Sequence, residues 1–399
     1  MADHSHNLSR RDMMRLGAAG VAMAGLPALG DDKAPDKLPT RRYGRTGLEI
    51  GWLVGASDWP KEMIPRAVAA GVNYWHKAQR WTASTLPPAL KALPREAYFL
   101  ECVVDRVGGD HSHGRIDEEQ HYQFVKDRLK ESAVGYYDVL KFHFGYHSID
   151  EAKTNPGMVR AFDRLKKEGL VRHLAISQHH YNNIGGGMAW EVLDYLADHQ
   201  PYDATQFFYT YGDRKEVSEW IDVARKHDIA TIAMKTMGGV GRAAQDEKFA
   251  KLLAEPKYQG STPGAAMVKW LKSNENLTGA VIATRNFDQF RENAGAAASV
   301  ALAPQDSATL GLLSGYNKGL TCLLCAQCVS ACPEHIAVAD IFRYERYGRD
   351  YFDLDRARRE YAGLTRNGTS CVGCNDCLTA CVREIDIPAK LRDVHRLLG

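Results

Sequence analysis

Eight of the nine cysteines fall into a single spacing written twice: Cys322-x2-Cys325-x2-Cys328-x3-Cys332-Pro333, then Cys371-x2-Cys374-x2-Cys377-x3-Cys381. Three thiolates at x2 spacing wrap one loop around the corners of an iron–sulfur cubane, and the fourth, on the following turn or helix, reaches a second cluster. The pattern therefore predicts two [4Fe–4S] clusters. Cys322, Cys325, Cys328 and Cys381 are expected to hold one, and Cys371, Cys374, Cys377 and Cys332 the other. The repeat extends past the cysteines, because Cys332-Pro-Glu-His-Ile336-Ala-Val338 lines up with Cys381-Val-Arg-Glu-Ile385-Asp-Ile387, forty-nine residues later. Its Ile and Val residues are expected to pack against the clusters and exclude water, one lever on redox potential. Val382 stands where a Pro usually follows the fourth cysteine. Paired CxxC motifs also make zinc sites, but two identical four-cysteine runs fit zinc knuckles poorly. Cys102 sits in an apolar run and reads as a buried core thiol.

A chain of 399 residues exceeds one small core, so a large domain plus a smaller one is expected. Between the cysteine runs, apolar residues at helical spacing (Ile341, Tyr344; Leu354, Ala357, Tyr361) predict helices over 337–346 and 353–364. Upstream, short β-branched or aromatic runs predict strands near 50–55, 72–76, 98–104, 137–143, 171–177, 203–208, 229–234 and 279–283. Amphipathic stretches such as 116–132, 158–168 and 216–227 lie between them. Eight βα units over about 250 residues fit an α/β (β/α)8 TIM barrel. A doubly wound sheet is the alternative, weakened by the lack of GxGxxG after the first strand.

The first thirty residues read as a targeting segment. Ser9-Arg10-Arg11-Asp12-Met13-Met14-Arg15 precedes an apolar stretch from Leu16 to Leu26, and Pro27-Ala28-Leu29-Gly30 offers a small-residue cleavage site. Paired arginines before a short apolar region predict a twin-arginine (Tat) signal and export to the periplasm. That route carries folded proteins and suits clusters built in a reducing cytoplasm. The expected layout is signal peptide 1–30, linker 31–42, barrel 43–310 and a mostly helical dicluster ferredoxin-like domain 311–399. No later stretch reaches about 18 apolar residues, so no membrane anchor is expected after cleavage. With 51 Lys and Arg against 49 Asp and Glu and no long basic run, nothing supports nucleic-acid binding.

Several segments resemble a known family. Tyr43-Gly-Arg-Thr-Gly-Leu48, Gly71-Val-Asn-Tyr-Trp75, Tyr137-Asp-Val-Leu-Lys-Phe-His143, Gly169-Leu-Val-Arg-His-Leu-Ala-Ile-Ser177 and Met234-Lys-Thr-Met look like aldo/keto reductases, in particular the branch with a C-terminal ferredoxin-like extension. The likeness departs from the family at its catalytic tetrad. The Asp-Thr-Ala…Tyr pattern after the second strand becomes His76-Lys77-Ala78…Trp81, and an indole cannot donate a proton as a phenol does. The family lysine falls on Val103 (or Cys102), leaving His143 as the one match. For NAD(P), the resemblance points to Ser177 and Gln206 at the carboxamide, Tyr209 as stacking residue, and Arg285, Glu292 and Asn293 near the phosphate. Gln178 replaces an Asn, and Ala283-Thr284-Arg285-Asn286 replaces a Pro-Gly turn.

Strand alternation suggests a replacement site. If His143 points into the barrel, so do Lys141 and Val139; the same parity turns Glu101, Val103 and Asp105 inward, and Tyr74 with His76. A lysine inside a barrel is costly unless paired, and Glu101 is a candidate partner. His76, Glu101, Lys141 and His143 are therefore expected to form a cluster at the mouth, with His76 as general acid. A Lys–Glu pair that merely fills the barrel is the bland alternative. His179-His180-Tyr181 follows the fifth strand and belongs to the same mouth. His111 and His113 lie in a polar loop that reads as solvated, and Gly185–Gly187 and Gly238-Gly239-Val-Gly241 read as turns. A metal on His76, His143 and His179 lacks any HExxH-like spacing.

The expected function is an exported oxidoreductase acting on a carbonyl or alcohol small molecule, with electrons passing through two clusters to an external electron-transfer partner. The alternatives are a NAD(P)H-dependent reductase with a rebuilt site, and a non-catalytic relay beside a remnant barrel.

Overall fold

The computed structural model describes residues 37–108, 114–146, 148–178, 190–212, 216–299, 301–351 and 353–399. The expected signal peptide, His111, His113, His179, His180, Tyr181 and Gly185–Gly187 lie outside those residues, as does the side chain of Gln178. A hairpin of β1 (Thr40–Arg42) and β2 (Glu49–Gly51) precedes eight parallel strands: β3 (Leu53–Ala56), β4 (Tyr74–His76), β5 (Phe99–Val104), β6 (Tyr137–Phe142), β7 (Val171–Gln178), β8 (Tyr202–Phe208), β9 (Ala230–Met234) and β10 (Gly279–Val281). They close in sequence order, and β10 pairs with β3 to seal the ring.

Around the barrel run α1 (Ile64–Ala69), α2 (Glu118–Ser132), α3 (Gly157–Lys167), α4 (Trp190–His199), α5 (Glu216–Lys226), α6 (Pro263–Ser273) and α7 (Phe287–Ala298). Side chains at Asp117, Thr262 and Asn286 accept backbone N–H groups at the starts of α2, α6 and α7, which fixes where those helices begin.

The expected strand at 50–55 is divided between β2 and β3, and the expected strands at 72–76 and 279–283 are each cut to three residues. β4 starts at Tyr74, just after Asn73, whose side chain accepts from the Gly51 N–H of the hairpin at 2.8 Å. β10 ends at Val281 where the Thr284 hydroxyl turns back to the Ile282 carbonyl at 3.1 Å.

The period-two pattern sorts the strand residues. Tyr74, Val139, Ala175, Ala204, Ala230 and Ile232 fill the barrel interior with Tyr43 from the hairpin region. Leu100, Cys102, Leu140, Phe142, Leu174 and Ile176 point outward under the helices, and burial pushes the Cys102 thiol up, as for an inert core cysteine.

After α8 (Pro304–Asn317), the chain is helical: α9 (Gln327–Ser330), α10 (Val338–Arg349), α11 (Leu354–Ala362), α12 (Asp376–Thr379) and α13 (Ile387–Leu398). These share a second core of Ile336, Val338, Ile341, Tyr344, Ile385, Ile387, Leu391 and Val394. This region packs on the barrel's C-terminal mouth. Phe208 at the end of β8 clusters with Leu324, Ala326 and Ala339, and the Arg346 guanidinium stacks on its ring at 5.0 Å. The turn after β9 is fixed here too: Gly239 has φ +76°, and a Cβ there would sit 1.9 Å from Asn317 Oδ1. Gly238 and Gly239 thus form a packed turn rather than an open cradle. No described helix is long and apolar enough to cross a membrane.

Candidate active site and cysteine cavities

At the mouth, the inward residues of β4, β5, β6 and β8 form one polar network. Lys141 Nζ lies 2.9 Å from Glu101 Oε1 and 3.1 Å from His76 Nδ1, and it donates to Gln206 Oε1. His76 Nδ1 lies 2.5 Å from Glu101 Oε1. The Tyr74 hydroxyl donates to Glu101 Oε2 at 2.8 Å and lies 3.2 Å from the Tyr43 hydroxyl. The Glu101 carboxylate thereby accepts from three side chains, two on Oε1 and one on Oε2, which helps an ion pair sit inside a barrel. Burial opposes ionisation of Glu101, but Lys141 and His76 outweigh it and hold its carboxyl well below the usual range. Burial likewise lowers Lys141, with Glu101 pulling the other way.

The same surroundings decide the state of the histidines. Burial, then the Lys141 charge, pushes His76 down to about 3, so its imidazole is neutral at physiological pH. A 2.5 Å contact to a carboxylate requires the proton on Nδ1, leaving Nε2 as the acceptor. His76 is therefore a base in its resting form, not the acid expected from sequence. His143, hydrogen-bonded through Nδ1 to Asp105 Oδ1, is also pushed down to about 3 by burial. Strand parity alone turns Asp105 inward, whereas its pairing with His143 depends on the stagger between the strands.

His76, Lys141, His143 and Gln206 open onto a cavity with about 1440 Å³ of empty space, part of it continuous with solvent. Arg285 also lines it and donates to the Asp350 carbonyl at 3.4 Å. Ser177 and Asn293 do not: Ser177 Oγ accepts from the Phe144 N–H at 3.3 Å, and Asn293 Nδ2 donates to Thr284 Oγ1 at 3.1 Å. Trp81, at the family tyrosine's position, is buried against Trp75 with ring centroids 5.7 Å apart.

The pocket also gathers residues the sequence reading did not assign. Lys77 and Lys235 follow β4 and β9 directly, both with left-handed backbone (φ 57° and 53°). Burial, then Arg80 and Arg356, brings Lys77 down to about 7; burial, then Arg343 and Arg356, holds Lys235 well below its usual range. Tyr347, Tyr351 and Arg356 from α10 and beyond complete the wall. Lys235 sits in a segment that carries the family resemblance, and Lys77 in the one where the sequence departs from it, so both positions are marked in the sequence. The aromatic wall depends on docking that leaves no periodic trace.

The cysteines form two further cavities of similar size. One, of about 320 Å³, is lined by Cys322, Cys325, Cys328 and Cys381; the other, of about 340 Å³, by Cys332, Cys371, Cys374 and Cys377. This is the crossed grouping expected from the spacing. Ile387 lines both cavities, and Ile336 and Val338 line the second. The repeat holds in the backbone as well. Left-handed residues recur at Leu324 and Gly373, Ala326 and Asn375, His335 and Glu384, each pair forty-nine positions apart. Five of these six are not glycine, a strain that chains keep where a local shape is needed. In two places it turns an amide toward sulfur: Leu324 N–H to Cys322 Sγ at 3.2 Å and Ile385 N–H to Cys381 Sγ at 3.4 Å. Burial and neighbouring thiols push Cys322 up to about 12 and Cys377 up to about 11.

Among the described residues all nine cysteines are free thiols, and no three His, Cys, Asp or Glu side chains stand close enough to hold a single metal ion. Four thiols around an apolar hollow instead fit a polynuclear cluster, whose ligands bind separate corners.

Helix α10 lies between the first of these cavities and the barrel mouth. Phe342 lines the cavity, Tyr347 lines the mouth, and Arg346 donates to the Cys322 carbonyl at 2.5 Å. The second cavity reaches the surface, where Cys374 is exposed.

The model of the aldo/keto reductase family matches residues 43–311. Among solved structures, the chain is similar to aldo-keto reductase AKR11C1 from Bacillus halodurans. In its holo form the TM-score is 0.54 at 18% identity, covering 69% of this chain and 96% of that one. In its apo form the TM-score is 0.50 at 17% identity, again covering 69% and 96%. At such identities the likeness speaks for the barrel fold alone. No curated protein matches the chain.

Proposed function

The chain belongs to the aldo/keto reductase family, a family of oxidoreductases, and from that premise we propose that it is an exported iron–sulfur oxidoreductase acting on a carbonyl or alcohol group at the barrel mouth. The observation that carries this reading is the grouping of eight cysteines into two four-thiol cavities, the first packed behind the helix that walls the mouth. Cys322, Cys325, Cys328 and Cys381 would hold one [4Fe–4S] cluster, and Cys332, Cys371, Cys374 and Cys377 the other. Such a cluster, when bound, supplies one-electron transfer.

The chain's own groups handle the protons. Interconverting an alcohol and a carbonyl moves two electrons and two protons. His76 Nε2 is an unprotonated acceptor held by Glu101, placed to accept a hydrogen bond from a substrate hydroxyl and orient it. Lys77, down to about 7, exchanges a proton near neutral pH, a role the family gives to a tyrosine that is Trp81 here. Lys141 and Glu101 position His76; the helical region closes one side of the site against water. The twin-arginine segment supports export, and an external electron-transfer partner follows from it.

Anaerobically purified protein should contain about eight iron and eight inorganic sulfide per chain. Its cluster absorbance should bleach, or recover, with one member of a panel of aldehydes, ketones and sugars. Zinc with little iron would sink the cluster reading. A second reading, NAD(P)H-dependent reduction, is favoured by family membership and by Gln206 in the pocket. Titrating NADPH against its own fluorescence tests it, and no saturable quenching at millimolar concentration removes it.

A further inference from the structure

We propose that the exposed face of the second cysteine run, around Val372, Cys374 and Leu378, is where a redox protein docks to exchange electrons: a partner that presents an apolar patch beside its own cofactor and a basic rim. This rests on the cluster reading above, names the surface at which the external partner is met, and asks nothing of the barrel mouth.

The internal repeat makes this face stand out. Three of the six large apolar side chains exposed among the described residues lie in or beside this one run: Val372 at 67%, Val382 at 53% and Leu378 at 37%. The first run, forty-nine residues earlier, has the same left-handed turns but different surroundings. There Leu323, Leu324 and Ala326 are buried; Leu324 and Ala326 cluster with Phe208 at the end of β8, and Val329 packs against them. Their counterparts Val372, Gly373, Asn375 and Leu378 are all exposed, with Cys374 among them. One loop shape is thus covered by the barrel in its first copy and bare in its second. Exposed apolar groups gathered at one place mark contact surfaces. Gly373 and Asn375, standing for Leu324 and Ala326, leave less apolar area than the barrel contact uses. That suits a partner that must leave again, since electron-transfer encounters lie at the small end of protein interfaces.

Two further features choose the partner. Cys374 lines the second cavity and is exposed, so a cluster there has a ligand at the surface; Ile387 lines both cavities and links that edge to the first. The charge is also one-sided. Across 371–386 the charged side chains are Asp376, Arg383, Glu384 and Asp386. Arg383 donates to the Ser314 carbonyl at 3.3 Å, and Glu384 is matched by Lys318 at 2.9 Å. Glu334, beside the second cavity, is matched by Arg366 at 3.0 Å. Asp376, exposed on α12 beside Leu378, has no ion pair among the described residues, and Asp386 is exposed and caps α13 by accepting the Ala389 N–H at 3.0 Å. A cluster bound by four thiolates adds negative charge of its own. An apolar centre edged by unmatched acids attracts a protein whose edge is basic and fixes how it approaches.

The test titrates isotope-labelled ferricytochrome c, a basic protein with lysines around its exposed haem edge, with the intact, anaerobically purified protein at low ionic strength. Its amide NMR shifts should move saturably, and the affinity should fall at least fivefold in the double variant Val372→Ser/Leu378→Ser. Asp376→Lys should weaken binding at least threefold, a difference that fades as salt is raised. Leu252→Ser, which alters an exposed apolar side chain elsewhere, should change nothing. Iron content and melting point are followed for each variant, and Asp376→Lys decides alone should the double variant lose its iron. No saturable shift, or equal affinity in the variants, overturns the proposal. So does sedimentation showing that the protein pairs with itself and that the double variant undoes this, since a second copy would then cover the face. Iron on the same samples keeps the two readings apart: protein without iron that still binds through this face sinks the clusters and keeps the surface, and iron-loaded protein that does not bind does the reverse.

Discussion

Replacing Lys141 by Met tests the network at the mouth. Lys141 Nζ and Glu101 Oε1 lie 2.9 Å apart, with side chains 1% and 3% exposed. At an effective dielectric of ~20 their attraction is about 6 kcal/mol, of the same order as the cost of dehydrating the two ions. The pair as a whole therefore contributes little, while breaking it strands a buried charge. Lys141→Met should destabilise the fold by about 3–5 kcal/mol, and Glu101→Gln by a similar amount. The double variant should cost several kcal/mol less than their sum, because it strands no charge. A second readout separates this from simple packing. Lys141 lowers the His76 pKa and Glu101 raises it, so Lys141→Met should lift His76 from about 3 toward its ordinary value, followed by the imidazole proton signal in NMR. Urea unfolding of the four proteins supplies the cycle. Costs additive to within ~0.5 kcal/mol, with His76 unmoved, would refute the claim that these groups act as a unit.

Stability should also depend on acid. The folded pKa values of His76 and His143 are depressed to about 3, and that of Glu101 is lowered, so the unfolded chain binds more protons between about pH 6.5 and 3. Stability is then complete above pH 6.5 and lost as pH falls through that window; unfolding midpoints that stay flat from pH 7 to 4.5 would contradict it. Lys77, protonated below about 7, predicts that carbonyl reduction slows above neutral pH and that Lys77→Met erases this limb of the rate profile. Cys325→Ser should drop bound iron to about half or less, whereas Cys102→Ser should leave it unchanged; equal losses would mean the two cysteines do not differ as their surroundings imply. Gly239→Ala puts a methyl 1.9 Å from Asn317 Oδ1 at φ +76° and should cost at least ~2 kcal/mol, visible as faster amide exchange in the turn after β9.

Much of this was legible in the sequence, and for a physical reason. A strand in a barrel alternates strictly, so knowing that one residue faces in fixes its neighbours two away. That is why Lys141, Glu101 and His76 were found together. The cysteine grouping was legible because x2 spacing curls a loop around one centre and throws the fourth thiol to the other. What was hidden is what depends on docking. Tyr347 and Arg356 lie on helices whose apolar spacing shows that they are helices, not which surface they cover. The neutral state of His76 is not legible in the sequence, because an isolated imidazole titrates near neutrality, while the cost of burying it beside Lys141 belongs to the fold.

Helix α10 makes the two halves of this protein answerable to each other. One side of it frames the mouth through Tyr347, another closes the first cysteine hollow through Phe342, and Arg343 and Arg346 rest on Phe144 and Phe208 of the barrel. A chain cut before the helical region would lose a wall of its pocket and bare those two rings to water. A substitution on α10 tolerated by one half is thus vetted by the other, so the barrel could not drift toward a new substrate without the cysteine-bearing region accommodating the same change.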